Sequence, residues 1–249
     1  MGLWVVDLHV HFYNGFDLDR AVRSAWKNAQ ALGGARPGGL CWCLASPPGI
    51  DSLDLLKAVA QKQSSSTKIA ETTDRQGCAV ARLESSDGLI VVVPGTQAIS
   101  AEGLEVLSLG AQLPDHKPEP LELLVDSVKK AGGLPVVPWG VGKWLGRRGE
   151  LVAKLVQNSR TLDSPLFADN ANRPWWWPYP RLLKAATANG HFVVTGSDPL
   201  PIKGDEIRIA SAGLSCSVSS VDTAWQEIRQ SLLSVRGTDT NVHGKPMSN

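Results

Sequence analysis

Leu3-Trp4-Val5-Val6-Asp7-Leu8-His9-Val10-His11 is the stretch on which the reading of this chain turns. A short apolar run that ends in polar side chains reads as a buried strand. Side chains alternate across a strand, so His9 and His11 project to the same side, about 7 Å apart along it. Two imidazoles on one face at a strand end can converge on one cation, and imidazole suits Zn, Mn or Fe. The competing reading is two packed histidines, each bonded to backbone.

Outward from this strand, the chain alternates strands and helices. Residues 19–32 carry Ala21, Val22, Ala25, Trp26 and Ala29 at helical spacing, and Gly33-Gly34 ends that helix. Residues 39–45 read as a second strand, closed by Ser46-Pro47-Pro48-Gly49. Residues 51–61 read as a helix that Asp51 or Ser52 can cap, followed by a Ser-rich break over 62–67. The apolar runs 79–83 and 89–93 flank Glu84-Ser85-Ser86-Asp87-Gly88, a hairpin signal. Strands are expected at 105–109, 134–139, 166–169 and 191–198, with helices at 120–131, 149–158, 179–189 and 221–234. Residues 236–249 are polar and aperiodic and read as a disordered tail. No fixed-period repeat and no Pro/Gly/Ser linker divides the chain, so residues 1–235 are expected to form a single α/β domain with a largely parallel sheet.

Composition excludes several classes. The chain has 249 residues, 25 Lys plus Arg and 24 Asp plus Glu, for a formal charge of +1. That balance argues against a nucleic-acid binder working through bulk charge. Four cysteines are too few for a disulfide scaffold at this length. Cys41-Trp42-Cys43 has closer spacing than common zinc knuckles and reads as buried strand thiols. No apolar run approaches the roughly 20 residues of a membrane span. The opening residues lack the pattern of a signal peptide, so the expected location is the cytoplasm.

In α/β folds functional groups gather at the carboxyl ends of strands. Here that rule picks out His9, His11, Gln97, Trp139, Asp169, Asn170, Ser197 and Asp198. In a closed barrel the first and last strands are neighbours. Asp198 then faces the histidines as a ligand or as a general base, whereas its bland alternative is a turn or cap carboxylate. Lys143 and Arg173 leave strands on the same side and could bind an anion. Trp139, Trp144 and the run Trp175-Trp176-Trp177 could wall an aromatic pocket or simply pack.

Together, Asp7-Leu8-His9-Val10-His11, Val93-Pro94-Gly95-Thr96-Gln97, Val136-Val137-Pro138-Trp139 and Gly196-Ser197-Asp198-Pro199 resemble, in order, motifs of the polymerase and histidinol phosphatase (PHP) superfamily. The resemblance runs from Val6 to Asp198. It implies a distorted (β/α)7-type TIM-like barrel, divalent metals at the carboxyl ends of its strands, and hydrolysis, usually of phosphoesters. The chain departs from the family pattern at three ligand positions. Gln97 stands in place of a bridging Glu, Trp139 in place of a His, and Pro199 near a second late His. The surviving set is His9, His11 and Asp198, with Asp169 as a fourth ligand or general base, enough for one divalent ion with open positions.

The resulting expectation is a metal-dependent hydrolase of phosphoesterase type with a reduced site. Lys143, Arg173, Asn170, Trp139 and Gln97 would surround a small anionic substrate. The alternative is an inactive barrel that binds a small anionic or aromatic ligand through its Trp, Lys and Arg residues. A third reading presents the Trp-rich face to a protein partner. The sequence leaves the oligomeric state open.

Overall fold

The computed structural model describes residues 2–75, 77–115, 117–158, 163–173 and 176–234. The expected tail, together with His116, Trp175 and His243, lies outside the described residues.

The strands are β1 (Gly2–Val10), β2 (Gly39–Leu44), β3 (Lys68–Thr73), β4 (Ala79–Ser85), β5 (Gly88–Val93), β6 (Gly95–Ile99), β7 (Glu105–Leu109), β8 (Leu134–Pro138), β9 (Leu166–Asn170), β10 (Val193–Gly196) and β11 (Leu214–Val218). The helices are α1 (Leu18–Gly33), α2 (Ser52–Gln63), α3 (Leu121–Lys130), α4 (Gly146–Gln157), α5 (Arg181–Ala188) and α6 (Ala224–Ser234). Local chemistry accounts for several of these. Asp17 caps α1 through Arg20 N, and Gly34 closes it in the left-handed region. Asp51 accepts from Leu53 N and Asp54 N to start α2. The expected hairpin forms as β4–β5, closing at the pair Ser85–Gly88.

The barrel expected from the resemblance is not what the chain forms. It forms two mixed sheets, ordered β11-β1-β2-β5-β4-β3 and β10-β9-β8-β7-β6. The ladders β1–β2, β2–β5, β8–β9 and β9–β10 are parallel. The ladders β1–β11, β3–β4, β4–β5, β6–β7 and β7–β8 are antiparallel. The physical reason lies in edge pairing. Closure would require a ladder between β1 and β10, but β11 occupies that edge of β1 with an antiparallel register from Gly2–Val218 to Val6–Leu214. At the other side, the β4–β3 hairpin takes the outer edge of β5.

Among the described residues, backbone contacts nonetheless link the ends of the sheets at two places. Ser46 and Thr96 form a single parallel bridge. Asp198 N donates to His9 O at 2.8 Å where the chain leaves β10. Both meetings depend on glycine. A Cβ on Gly196 would lie 2.5 Å from His9 N, and one on Gly95 would lie 2.3 Å from Leu44 O.

Three apolar layers result. Val6, Leu8, Cys41, Cys43, Val91, Leu107, Val136, Ala168 and Val194 pack between the sheets, with Trp225 and Ile228 of α6. The alternate residues Val5, Val10, Leu40, Trp42 and Leu44 pack under α1 and α2. On the second sheet, Val137 and Phe167 pack under α3, α4 and α5. Among the described residues, no helix is long and apolar enough to cross a membrane.

Candidate metal centre

Strand alternation puts His9 and His11 on one side, as their spacing implies. β1 ends at Val10, so His11 leaves the strand while His9 is still in it. Their rings lie 4.9 Å apart between centroids. The Nε2 atoms face each other at 3.1 Å. Asp198 completes the group, with Oδ1 3.5 Å from His9 Nε2 and 3.6 Å from His11 Nε2. Gln97 Oε1 lies 2.9 Å from His9 Nε2. The side chains of His9, His11 and Asp198 are 2%, 13% and 17% exposed.

This arrangement could hold a cation. Ligand atoms roughly 2.1 Å from a shared ion in tetrahedral to octahedral geometry sit roughly 3.0–3.4 Å apart. The separations found here are close to that range. A neutral imidazole Nε2 carries either one N–H or one lone pair. Hydrogen bonding can therefore satisfy one of the three contacts that His9 Nε2 makes, whereas a central cation satisfies all of them. Burial, aided by the adjacent His9 ring, holds His11 well below the usual imidazole range, which keeps it neutral as a ligand must be. Asp198 and a hydrogen bond to the Ala45 backbone act in the opposite direction but are outweighed.

Asp198 is itself firmly held. It sits at φ 46°, the left-handed region that Asp tolerates better than most residues. Asn170 Nδ2 and Asn172 Nδ2 donate to its Oδ2 at 3.0 and 2.9 Å. Burial alone would raise its carboxyl, but His9, His11 and Asn172 outweigh that and keep it below the usual range. Beneath the cluster, Asp7 is fully buried and accepts from His9 N, Ser197 N and Ala210 N at 3.2, 2.9 and 2.8 Å. Burial raises Asp7 to about 6 against those donated bonds. One carboxylate thus ties β1 to the end of β10 and to the approach to β11.

Other expected site residues are placed differently. Asp169 is no part of the cluster, because Arg173 grips it with Nε at 3.0 Å and Nη2 at 2.8 Å from Oδ2. Arg173 is buried, donates to Trp177 O at 2.9 Å and lies over the Tyr179 ring. The two side chains are thus committed to each other in this structure, and neither reaches the His9–His11–Asp198 group. Lys143 reaches the vicinity of Asp198 and helps to lower its carboxyl, but its ammonium pairs with Glu105. Trp139 is only 7% exposed and packs with Val137 and Phe167 under the helices. Trp144 packs there too, edge-on to Phe167. Trp176 and Trp177 are exposed. Asn170 serves Asp198 and Trp139 O rather than an open pocket. All four cysteines are free thiols, and those of β2 are buried as their spacing suggests.

Asp7 and Asn172 are the contributors that sequence reading missed. Asp7 stood in view inside the first strand, and an acid flanked by apolar residues on a buried strand is a signal of built-in partners. Asn172 carried no such signal. A comparison with protein-family models finds no match for this chain, and a comparison with curated protein sequences finds none either.

Proposed function

We propose that this protein binds one divalent metal ion through His9 Nε2, His11 Nε2 and Asp198 Oδ1, and that it is a hydrolase acting on a small anionic substrate such as a phosphoester. The convergence of two imidazoles and one carboxylate in a mostly buried site carries this reading. Gln97 offers a neutral oxygen beside the same centre. A cation held there supplies Lewis acidity and an activated water. The protein's part is to hold the donors in a mostly buried position and keep Asp198 ionised. Kinship with the PHP superfamily belongs to the same proposal and is supported by the HxH and Gly-Ser-Asp elements that meet here.

One observation favours a second reading. With Asp169 locked to Arg173, Asp198 is the carboxylate beside the histidines, and as a ligand it cannot also act freely as a base. The second reading is therefore metal binding without turnover.

The test is metal content by elemental analysis after growth with Zn, Mn and Fe, followed by a phosphoester panel. Near-stoichiometric metal in the wild type, lost in the His9→Ala/His11→Ala variant, together with metal-dependent turnover, is the expected result. Metal without turnover supports the second reading. Wild-type protein without metal overturns both.

A further inference from the structure

Resting on that metal-site reading, we propose that Arg208, Asn172 and Asn170 form a positioning chain that presents Asp198 Oδ1 to the cation. Each link is a hydrogen bond. Arg208 Nη1 donates to Asn172 Oδ1 at 2.6 Å, which fixes the amide and aims its Nδ2 at Asp198. That Nδ2 contacts both Asp198 Oδ2 at 2.9 Å and Asp198 O at 2.8 Å. Asn170 Nδ2 adds a second donation to Oδ2 and is itself held by Trp139 O at 3.0 Å. With Oδ2 doubly occupied, the carboxylate has one oxygen left, and that oxygen faces His9 and His11.

The chain is anchored at its far end. Arg208 closes the 3-10 turn Asp205–Arg208, and its guanidinium lies 3.5 Å from Asp205 Oδ2. Asn28 of α1 clips the turn by donating to Ile207 O at 2.7 Å and Ile209 O at 2.9 Å. Arg20 of α1 approaches Glu206 at 3.6 Å. The position of one carboxylate thus leads back through two side chains to a helix on the outer face of the first sheet. Outer partners of metal ligands commonly govern affinity in this way. A carboxylate held at a positive φ needs such support more than most, since its backbone does not rest in a favoured well.

The experiment measures Zn2+ and Co2+ affinity of the full chain by titration calorimetry, with the Co2+ visible spectrum as a geometric signature. Asn172→Ala is expected to weaken metal binding by roughly 10–100-fold and to alter the Co2+ spectrum at saturation. Arg208→Gln is expected to weaken it less, and Arg208→Lys, which can still donate to Asn172, to recover most of the loss. Melting of the metal-free variants separates this from misfolding. Wild-type affinity and spectrum in folded Asn172→Ala would overturn the positioning role.

The chain is also read without metal, from the side-chain amide protons of Asn170 and Asn172 by NMR. In the wild type the protons aimed at Asp198 Oδ2 should lie away from free-amide positions and shift towards them in Asp198→Ala, while the bonds to Trp139 O and the Asp198 backbone O persist. If they do so while the wild type binds no metal, the chain stands and the metal reading fails. Free-amide signals in the wild type overturn the chain, whatever the metal result.

Discussion

Gly196 shows how much one residue decides. It lies at the crossing of β10 and β1, where an added Cβ would strike the His9 backbone at 2.5 Å and Asp7 Oδ1 at 3.0 Å. Gly196→Ala is therefore expected to cost about 1–3 kcal/mol through forced backbone shifts. It should also weaken metal binding, because His9 and Asp198 are pushed apart. Unchanged melting and metal affinity in this variant would contradict the crossing. Arg173 makes the opposite case, a residue expected in the site that serves the fold. Arg173→Ala leaves the Asp169 carboxylate poorly solvated and unpaired, and a loss of about 3 kcal/mol or more is expected in chemical denaturation. Were Arg173 a substrate clamp instead, stability would hold and only the KM for an anionic substrate would rise. Sequence alone could not separate these roles. Both place a cation one helical turn's spacing beyond an acid, and only the 2.8 Å contact shows the charge to be used already.

At the scale of elements, the Ser-rich break after α2 has more order than its composition suggests. Asp19 in the first turn of α1 accepts from Ser66 N at 2.9 Å, Thr67 N at 3.1 Å and Thr67 Oγ1 at 2.7 Å. Partial burial opposes its charge, but the bonds from Ser65, Ser66 and Thr67 prevail and set Asp19 below the usual carboxylate range. A depressed carboxylate stabilises the fold above its unfolded value of about 3.9, and that contribution fades as pH falls through the lower folded value. Asp19→Asn should thus lower Tm at pH 7 by about 2–4 °C for a loss near 1 kcal/mol. The gap between variant and wild type should narrow below about pH 4. A gap that is constant from pH 7 to pH 3 would exclude the ionised form as its source. The elements legible in advance were those with strong period or turn chemistry, such as α1 and the β4–β5 hairpin. β3 and β6 escaped because one is polar and the other opens on glycine. β11 had a usable signal, since Leu214, Cys216 and Val218 alternate with two serines.

At the scale of the whole molecule, the two sheets share one apolar layer although they share no continuous ladder. Leu107 of β7 is buried in that layer beside residues from both sheets. Leu107→Ala is expected to cost about 2–5 kcal/mol. Because the layer is common, both sheets should unfold together, with far-UV and near-UV circular dichroism tracing one transition in wild type and variant. Two separated transitions would show that the sheets stand independently. From the residues alone came the order of most strands and helices, the shared side of His9 and His11, and Asp198 as a candidate partner for them. Periodicity and turn chemistry act within a few residues and are written locally. Only the tertiary structure decided that β11 takes the edge of β1, that two mixed sheets replace a closed ring, and that Asp169 and Arg173 neutralise each other. The first two outcomes depend on pairing between segments more than two hundred residues apart in the chain, and the third on how two side chains four residues apart are turned. Which edge or charge wins is settled by distance and packing, and neither is encoded in a local pattern.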